Sequence, residues 1–360
     1  MGIVLLIAAL IIIVLKITMF KNESEINDKR FMIVSAVVLI IIFGIRNGAT
    51  NYGTDLNSYY RMYERAIQTT DFWNFYASSS VEIGYSFINW VLARLIKFPQ
   101  FILFFQATIC IGLTFRFIKR YSSDLLFSVL GFMAFGICQF YATGFRQAIA
   151  ISLCLLAIDY AESRKLIKFL LIVILATTIH KTAILFVLAY MLIRIPLKRI
   201  TIVGVAVTMI VFSNMLPYFI TLGNEVFDKS YSGASWGNSF GGAINILIAL
   251  FVVLPIFILN KNSEIDDDYG EINDRPAINY EFVLMLVAGI GLYAMRYRAL
   301  VVERVSMFFT PVLFILVPQA IDTCFASENR KFLRIVFYCG MLFLIYWRFS
   351  VEAYTPFWAS

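Results

Sequence analysis

The sequence has few polar residues. Of its 360 residues only 15% are charged, and a single residue is a histidine. Polar stretches are too short to form a soluble domain, while 61% of the residues are hydrophobic and the mean hydropathy is +0.81. A soluble fold of this length could not bury so much apolar surface. The composition therefore excludes a soluble enzyme and favours a polytopic helical membrane protein.

Several common chemical motifs are also missing. The five cysteines lie within or beside apolar runs without metal-ligand spacing, so they indicate packing and not a disulfide framework or a zinc site. No Walker loop occurs, and no GxGxxG segment follows a strand, so ATP hydrolysis and nicotinamide chemistry have no support. The acidic run 266–268 is interpreted as part of a solvated loop. We expect neither a metal nor a cofactor.

Long apolar runs are what the sequence has in abundance. A transmembrane helix needs roughly 20 mostly apolar residues, and this rule predicts an all-α membrane protein with about 12–13 transmembrane helices in one integral domain over residues 1–360. The predicted spans lie near 3–20, 31–45, 82–97, 100–118, 124–141, 145–161, 166–179, 182–195, 200–220, 243–260, 280–296, 303–322 and 333–349.

The distribution of basic residues predicts the orientation of these spans. The formal net charge of +7 is interpreted as cytoplasmic loops facing anionic lipid, and not as a surface for nucleic acid. Four basic residues in the segment 16–30 place that segment inside. The loops 46–80 and 221–242 are then outside, and the acidic loop 261–278 is cytoplasmic.

Counting spans gives a contradiction between residues 80 and 145. If 82–97 and 100–118 both cross the membrane, Arg146 begins its helix on the inner side. Counting back from the basic turn at 164–168 puts Arg146 outside instead. One element in this region must be re-entrant or wrongly counted as a span. We expect it to be 82–97, which is short and carries several polar side chains.

The first outer loop predicts an amphipathic helix after the second span. Asp55 lies in its first turn, where the helix dipole favours a carboxylate. Further along, Tyr59, Met62, Tyr63 and Ala66 share one face. An aromatic amphipathic helix beside a membrane tends to lie in the interface, so we expect an interfacial helix here.

His180, the only histidine, stands with Lys181 between two apolar runs. Imidazole has an unperturbed pKa near neutrality, which suits a proton shuttle; a plain interfacial histidine is the alternative. Basic clusters at the far ends of both runs favour a short hairpin. Its tip, His180-Lys181, would lie on the outer side, below the membrane surface.

Arg146 opens another apolar run, with no acidic residue nearby in sequence. A cation near hydrocarbon depth is costly, so it must find a carboxylate, backbone carbonyls or an anionic substrate, unless it snorkels to the headgroups. Gln147 beside it can donate and accept hydrogen bonds, which suits a sugar hydroxyl or a diphosphate oxygen.

The predicted outer face carries more cations than carboxylates. Guanidinium groups bind phosphate through paired hydrogen bonds, so several around one hollow would hold a diphosphate. A carboxylate or a histidine beside them would supply a base. The basic residues are Arg46, Arg146, His180, Lys181, Arg296, Arg298 and Arg304, and the acidic residues are Asp55, Glu82 and Glu303.

Short motifs between about residues 43 and 185 occur in a specific order. They are Arg46, Gly53-Thr54-Asp55 with Tyr59, Glu82-x-Gly84-Tyr85, Arg146-Gln147-x-x-Ala150 and His180-Lys181-Thr182-Ala183, with Glu303-Arg304 as a less distinctive later match. With these motifs the chain resembles the EpsG-like family of bacterial exopolysaccharide polymerases, related in role to the Wzy polymerases of O-antigen and capsule. Lys181-Thr182 departs from the Lys-Ser more often expected.

The resemblance implies a multi-pass glycosyltransferase of the bacterial cytoplasmic membrane with a GT-C-like architecture. Its donor and acceptor would be oligosaccharide repeat units on undecaprenyl diphosphate, joined at the outer face into exopolysaccharide, capsule or O-antigen. The lipid diphosphate is then the leaving group, so no nucleotide sugar is needed. A flippase and a chain-length regulator of the same pathway would be partners, together with membrane lipid.

These expectations assign roles to the candidate residues. The catalytic candidates are His180, Asp55 and Glu82, and the substrate-binding candidates are Arg46, Tyr59, Arg146, Gln147, Lys181, Arg298 and Arg304. Other classes stay open on the same residues: a flippase or transporter of the lipid-linked oligosaccharide, a glycan ligase, or a membrane acyltransferase that uses the histidine.

Overall fold

The structure is a computed structural model that describes residues 1–22, 24–48, 53–227, 240–263, 278–297, 300–350 and 354–358. All regular elements within these ranges are helical, in agreement with the predicted all-α fold. The α-helices are α1 (Gly2–Thr18), α2 (Glu25–Gly44), α3 (Gly53–Gln68), α4 (Phe72–Ala77), α5 (Ile83–Leu95), α6 (Phe101–Tyr121), α7 (Leu125–Ala134), α8 (Ile137–Thr143), α9 (Phe145–Glu162), α10 (Leu166–Ile179), α11 (Val187–Leu192), α12 (Arg199–Phe227), α13 (Phe240–Ser263), α14 (Glu281–Ala294), α15 (Leu300–Ser306), α16 (Leu313–Cys324) and α17 (Ser327–Phe349). Short 3₁₀ segments occupy Lys181–Phe186, Met295–Tyr297 and Thr310–Val312.

The chain divides into two compact units. The first consists of Met1–Tyr121, Leu125–Ile184 and Tyr338–Ser360, and the second of Ser122–Asp124 and Leu185–Phe337. The boundary therefore falls inside α17. A single integral membrane domain stays a prediction for the chain as a whole.

Judged by length and composition, two helices of the described residues, α6 and α17, are long and apolar enough to cross a membrane. The pair α7 and α8 is a third candidate if it forms one bent span. Shorter apolar helices of 10–17 residues include α1, α10 and α14. The apolar helices are consistent with a membrane protein, while the count of about 12–13 spans stays a prediction.

Several predicted spans are interrupted. The predicted span 124–141 breaks between α7 and α8, which are bent by 52°. Gly136 at this break has φ 99°, a backbone conformation that favours glycine. The predicted span 303–322 divides at the 3₁₀ segment that contains Pro311, which has no amide hydrogen to continue a helix. The predicted span 182–195 is a 3₁₀ segment followed by the short α11.

Helices α2 and α6 pack against each other in opposite directions. Near the end of α2, the Gln100 side chain donates to the carbonyl oxygen of Gly44 at 2.6 Å. At the other end of the pair, Lys29 and Lys119 line one groove. Arg120, next to Lys119, bonds to Glu162 at the end of α9 at 3.0 Å. The basic end of α6 thus lies beside the segment that was predicted to be inside.

This arrangement favours α5 as the element that does not cross. With 13 residues α5 is roughly 20 Å long, shorter than a hydrocarbon core of about 30 Å. If α5 does not cross the membrane, α6 brings the chain back to the membrane side on which Lys29 lies. Arg146 then begins α9 on the other membrane side. The positive-inside rule is then satisfied along the first unit.

The predicted amphipathic helix is present as α3. Its apolar residues are buried, including Tyr63 and Ala66 at 0% exposure, and the helix packs against α5 and α8. The Tyr63 hydroxyl donates to the carbonyl oxygen of Ile96 at 2.9 Å, and Arg94 donates to the carbonyl oxygens of Ala66 and Thr69. The interfacial position of this helix stays a prediction. Neighbouring protein helices cover the apolar face, and Arg94 satisfies the carbonyls at the helix end.

The second unit is organised around contacts of α14 with α12, α13 and α15, and of α13 with α16. Arg334 bonds to Asp124 and to both carboxylate oxygens of Asp322, the latter at 2.8 Å. Parts of two predicted loops, 228–239 of the outer loop 221–242 and 264–277 of the acidic loop 261–278, lie outside the described residues.

We expect Gly136→Ala to destabilise the protein by about 1–2 kcal/mol, because an L side chain is strained at this positive φ. The midpoint of thermal unfolding in detergent measures the effect. Gly112→Ala is the matched control, since a Cβ there meets no atom within 4 Å and alanine favours a helix. An unchanged midpoint for Gly136→Ala would contradict the expectation.

Candidate functional site

The Glu82 carboxylate joins three helix ends of the first unit. Arg146 donates from Nη1 to Glu82 Oε2. The backbone N–H of Lys181 donates to Oε1 at 3.4 Å, and His180 Nδ1 lies 3.8 Å from the same oxygen. Four residues from three separate parts of the sequence thus form one cluster, which we call the Glu82 cluster.

The local backbone explains why these side chains meet. α10 ends at Ile179, and His180 follows in an extended conformation, with its N–H still bonded to Ala176. Glu82 precedes α5 in an extended conformation, and its side chain forms no capping bond to its own helix. The carboxylate is therefore available to Arg146, which lies in the first turn of α9.

Tyr59 of α3 forms one wall of the Glu82 cluster. Its hydroxyl accepts a bond from Arg146 Nε at 3.5 Å. Its ring stacks on Phe145 with a centroid distance of 5.0 Å and meets Tyr85 edge-on at 5.6 Å. Burial raises the pKa of the Tyr59 phenol, in spite of the opposing effect of the Arg146 charge. The hydroxyl contact holds Tyr59 beside the Arg146 guanidinium, and its predicted role in substrate binding stays a prediction.

A close approach of α5 to α10 brings Glu82 to His180. A Cβ on Gly84 would lie 2.3 Å from Thr178 Oγ1 and 2.7 Å from the Thr178 carbonyl oxygen. Only glycine fits this contact without displacing a helix. The sequence marked Gly84 through the Glu82-x-Gly84-Tyr85 motif, but nothing in the sequence indicated Thr178.

The Glu82 cluster is only partly exposed. The exposed fraction of the side chain is 24% for Arg146, 14% for His180 and 10% for Glu82. One carboxylate faces one permanent cation and one imidazole, so the cluster becomes positive when His180 is protonated. Partial burial strengthens these charge interactions relative to water. A positive cluster of this kind favours an anionic ligand beside a group that can exchange a proton.

Three more candidate side chains lie near Tyr59 or the cluster residues in sequence. Asp55 is exposed, one helical turn before Tyr59 on α3. The Lys181 side chain is exposed beside His180, and Gln147 is buried in α9. Their predicted roles as base and as substrate-binding residues stay predictions.

Arg46 has backbone partners in the structure. It is buried, and it donates from Nε to the carbonyl oxygen of Phe43 at 3.1 Å and from Nη1 to that of Ala142 at 2.8 Å. These bonds tie the end of α2 to α8. Arg46 therefore supports the unit, and diphosphate binding by its side chain stays a prediction.

The remaining predicted arginines belong to the second unit or lie outside the described residues. Arg304 is exposed on α15, in the second unit. Arg296, also in the second unit, is buried and donates to the Tyr293 hydroxyl at 2.6 Å. Arg298 lies outside the described residues. The roles predicted for Arg298 and Arg304 stay predictions.

The all-helical fold with its apolar helices is consistent with a membrane protein, and the Glu82 cluster is a polar, ion-paired site between helix ends. The chain belongs to the EpsG family, which it matches over residues 29–358. This match confirms the resemblance identified from the motifs. The family is associated with glycosyltransferase-like polymerase activity in polysaccharide synthesis. No curated protein and no solved structure shows a significant match to the chain.

We expect Gly84→Ala to reduce polysaccharide output strongly at normal protein level. The added methyl group forces α5 away from the Thr178 backbone and so separates Glu82 from His180. Polymer length and amount in cells measure the effect. Gly340→Ala is the control, because a Cβ on this helical glycine meets no atom within 4 Å. Wild-type polymer from Gly84→Ala would show that this contact does not determine the site.

Proposed function

We propose that the protein is a polymerase that joins undecaprenyl-diphosphate-linked oligosaccharide repeat units into a polysaccharide at the outer face of the bacterial cytoplasmic membrane. The observation that carries this proposal is the Glu82 carboxylate, bound to Arg146 and facing His180 at 3.8 Å, in a member of the EpsG family. The proposed product is exopolysaccharide, capsule or O-antigen.

The reaction is a glycosyl transfer from a lipid diphosphate. A hydroxyl oxygen of the acceptor sugar attacks the anomeric carbon of the donor repeat unit, and a new C–O bond forms. The bond from that carbon to the diphosphate oxygen breaks, and its electron pair leaves with undecaprenyl diphosphate. The hydroxyl proton passes to a base on the protein.

Arg146 is the proposed diphosphate-binding residue. Its bonds to Glu82 and Tyr59 use two of the five guanidinium N–H donors, so the others can bind a phosphate oxygen. The fixed position of the guanidinium stabilises negative charge where it develops on the leaving group. Lys181, exposed beside His180, is a further candidate for the same diphosphate. Diphosphate binding by Arg298 and Arg304 stays a prediction from the sequence.

His180 is the proposed base. Glu82, already paired with Arg146, is a weaker candidate because removal of its charge would leave that cation without its partner. The Glu82 carboxylate also faces His180 Nδ1 and would stabilise the imidazolium that forms when His180 takes a proton. Asp55, exposed on α3, is the alternative base.

The outer orientation rests on the two ends of the first unit. The Glu82 cluster lies at the end of α10, and Lys29 and Lys119 lie together at the far end of α2 and α6. The positive-inside rule assigns the lysine-rich end to the cytoplasm. The Glu82 cluster then faces outside, where a polymerase of flipped repeat units acts.

Purified protein given only lipid-linked repeat units tests the proposed activity. Chain lengthening would support a polymerase. Movement of the lipid across a vesicle membrane without covalent change would instead identify a flippase. Transfer only after a second acceptor is added would identify a ligase, or an acyltransferase if an acyl group moves.

We expect Arg146→Ala and His180→Ala each to abolish polymer, while single repeat units accumulate on the lipid carrier. The first change removes the cation for the leaving group, and the second removes the base. Gel separation of the polymer, with extraction of lipid-linked units, measures both effects. Arg61→Ala is the control, since Arg61 is exposed on α3. Full-length polymer from both variants, at wild-type protein level, would reject the assigned roles.

Arg146→Lys tests whether charge alone is sufficient. Lysine keeps the positive charge but cannot bond Glu82, Tyr59 and a phosphate through one planar group. We expect a rate at least about tenfold lower at an unchanged protein level. A tenfold loss corresponds to an increase of about 1.4 kcal/mol in the activation free energy. Initial rates with purified protein measure the change, and a wild-type rate would show that geometry is unimportant.

A further inference from the structure

A groove lies between α2 and α6 at the end of the first unit that carries Lys29 and Lys119. Its cavity volume is about 480 Å³. Four basic residues line it: Lys29, Arg116, Lys119 and Arg120. The proposed polymerase chemistry uses none of these residues, so the groove is a separate feature.

The four basic residues differ in how their charge is balanced. Arg116 and Arg120 both pair with Asp159, and Arg120 also bonds Glu162 at 3.0 Å. Lys29 and Lys119 pair with no carboxylate among the described residues. The groove therefore carries two uncompensated positive charges on facing helices.

The rest of the groove is apolar and open. Met32, Ile33, Ala36 and Phe115 line it beyond the basic end. A Cβ on Gly112 would meet no atom within 4 Å, so open space lies above this glycine. From Lys29 to Ala36 the groove follows α2 for roughly 10 Å, at 1.5 Å per residue. This length fits a headgroup and the first part of an acyl chain.

We propose that this groove binds an anionic glycerophospholipid. The phosphate lies between Lys29 and Lys119, and one acyl chain passes over Ala36 and Gly112. A free anion would need only the lysines, but the apolar floor and the exposed Ile33 fit a ligand with a hydrocarbon chain. The lysines lie at the predicted cytoplasmic end, where basic grooves between helices meet anionic lipid headgroups.

Lipid retention tests the charge requirement. The full-length protein is purified in detergent with equal amounts of phosphatidylglycerol and phosphatidylcholine, and the retained lipid is counted by mass spectrometry. We expect the wild type to retain phosphatidylglycerol preferentially. Each of Lys29→Gln and Lys119→Gln should weaken this about fivefold, and the double variant about 25-fold. Lys165→Gln with Lys331→Gln, two exposed lysines outside the groove, is the matched control and should match the wild type.

Filling the groove tests the acyl-chain contact while every charge is kept. Gly112→Leu should reduce phosphatidylglycerol retention, because the new side chain occupies the open space above α6. Gly340→Leu, at another helical glycine with open space, should leave retention unchanged. Equal retention of both lipids by the wild type, or full retention by Gly112→Leu, would overturn the proposal. Displacement of the lipid by glycerol 3-phosphate at equal concentration would also overturn it, since the site would then recognise phosphate alone.

Discussion

The ion pair between Glu82 and Arg146 is the interaction on which the first unit depends. A guanidinium in an apolar protein needs a counter-charge, since an unpaired buried cation is strongly destabilising. Glu82 supplies that charge from a position 64 residues earlier in the chain, and the same carboxylate faces His180. One acidic side chain thereby fixes the relative positions of α5, α9 and α10. The chemistry proposed for the site is a further use of this structural bond.

A buried hydrogen-bond network makes the scaffold around this ion pair rigid. The Tyr141 hydroxyl on α8 bonds Thr114 of α6 at 3.0 Å and accepts from Ser152 of α9 at 3.1 Å. Gln106 donates to the carbonyl oxygen of Tyr141 at 3.0 Å. Side-chain hydrogen bonds between helices hold helix pairs that apolar contact alone leaves free to slide. Arg146 of the Glu82 cluster lies on α9 and Lys119 of the basic groove lies on α6, two of the helices that these bonds join.

The sequence could predict the positions of individual helices, but it could not predict which side chains far apart in the chain contact each other. The apolar run 166–179 predicted α10 at its observed bounds, and helical spacing predicted the apolar face of α3 that the structure buries. The break at Gly136 was missed because a glycine inside an apolar run is compatible with a continuous helix. The sequence left open whether Arg146 meets a carboxylate, backbone carbonyls or a substrate, and the fold supplies Glu82. Arg46 was interpreted as a phosphate ligand, but its bond to Ala142 depends on contact between α2 and α8.

The first unit is assembled from pieces at both ends of the chain. Near the C-terminal end, the backbone N–H of Phe357 donates to the carbonyl oxygen of Ile45 at 2.9 Å, and Asn47 donates to Thr355 at 2.8 Å. These bonds form at the end of α2, which is made early in translation. Because domains tend to fold in order of synthesis, the ribosome must produce the whole second unit before this edge of the first can close. Until then the Ile45 carbonyl oxygen and the Asn47 N–H, on either side of Arg46, lack these two backbone partners in the nascent chain.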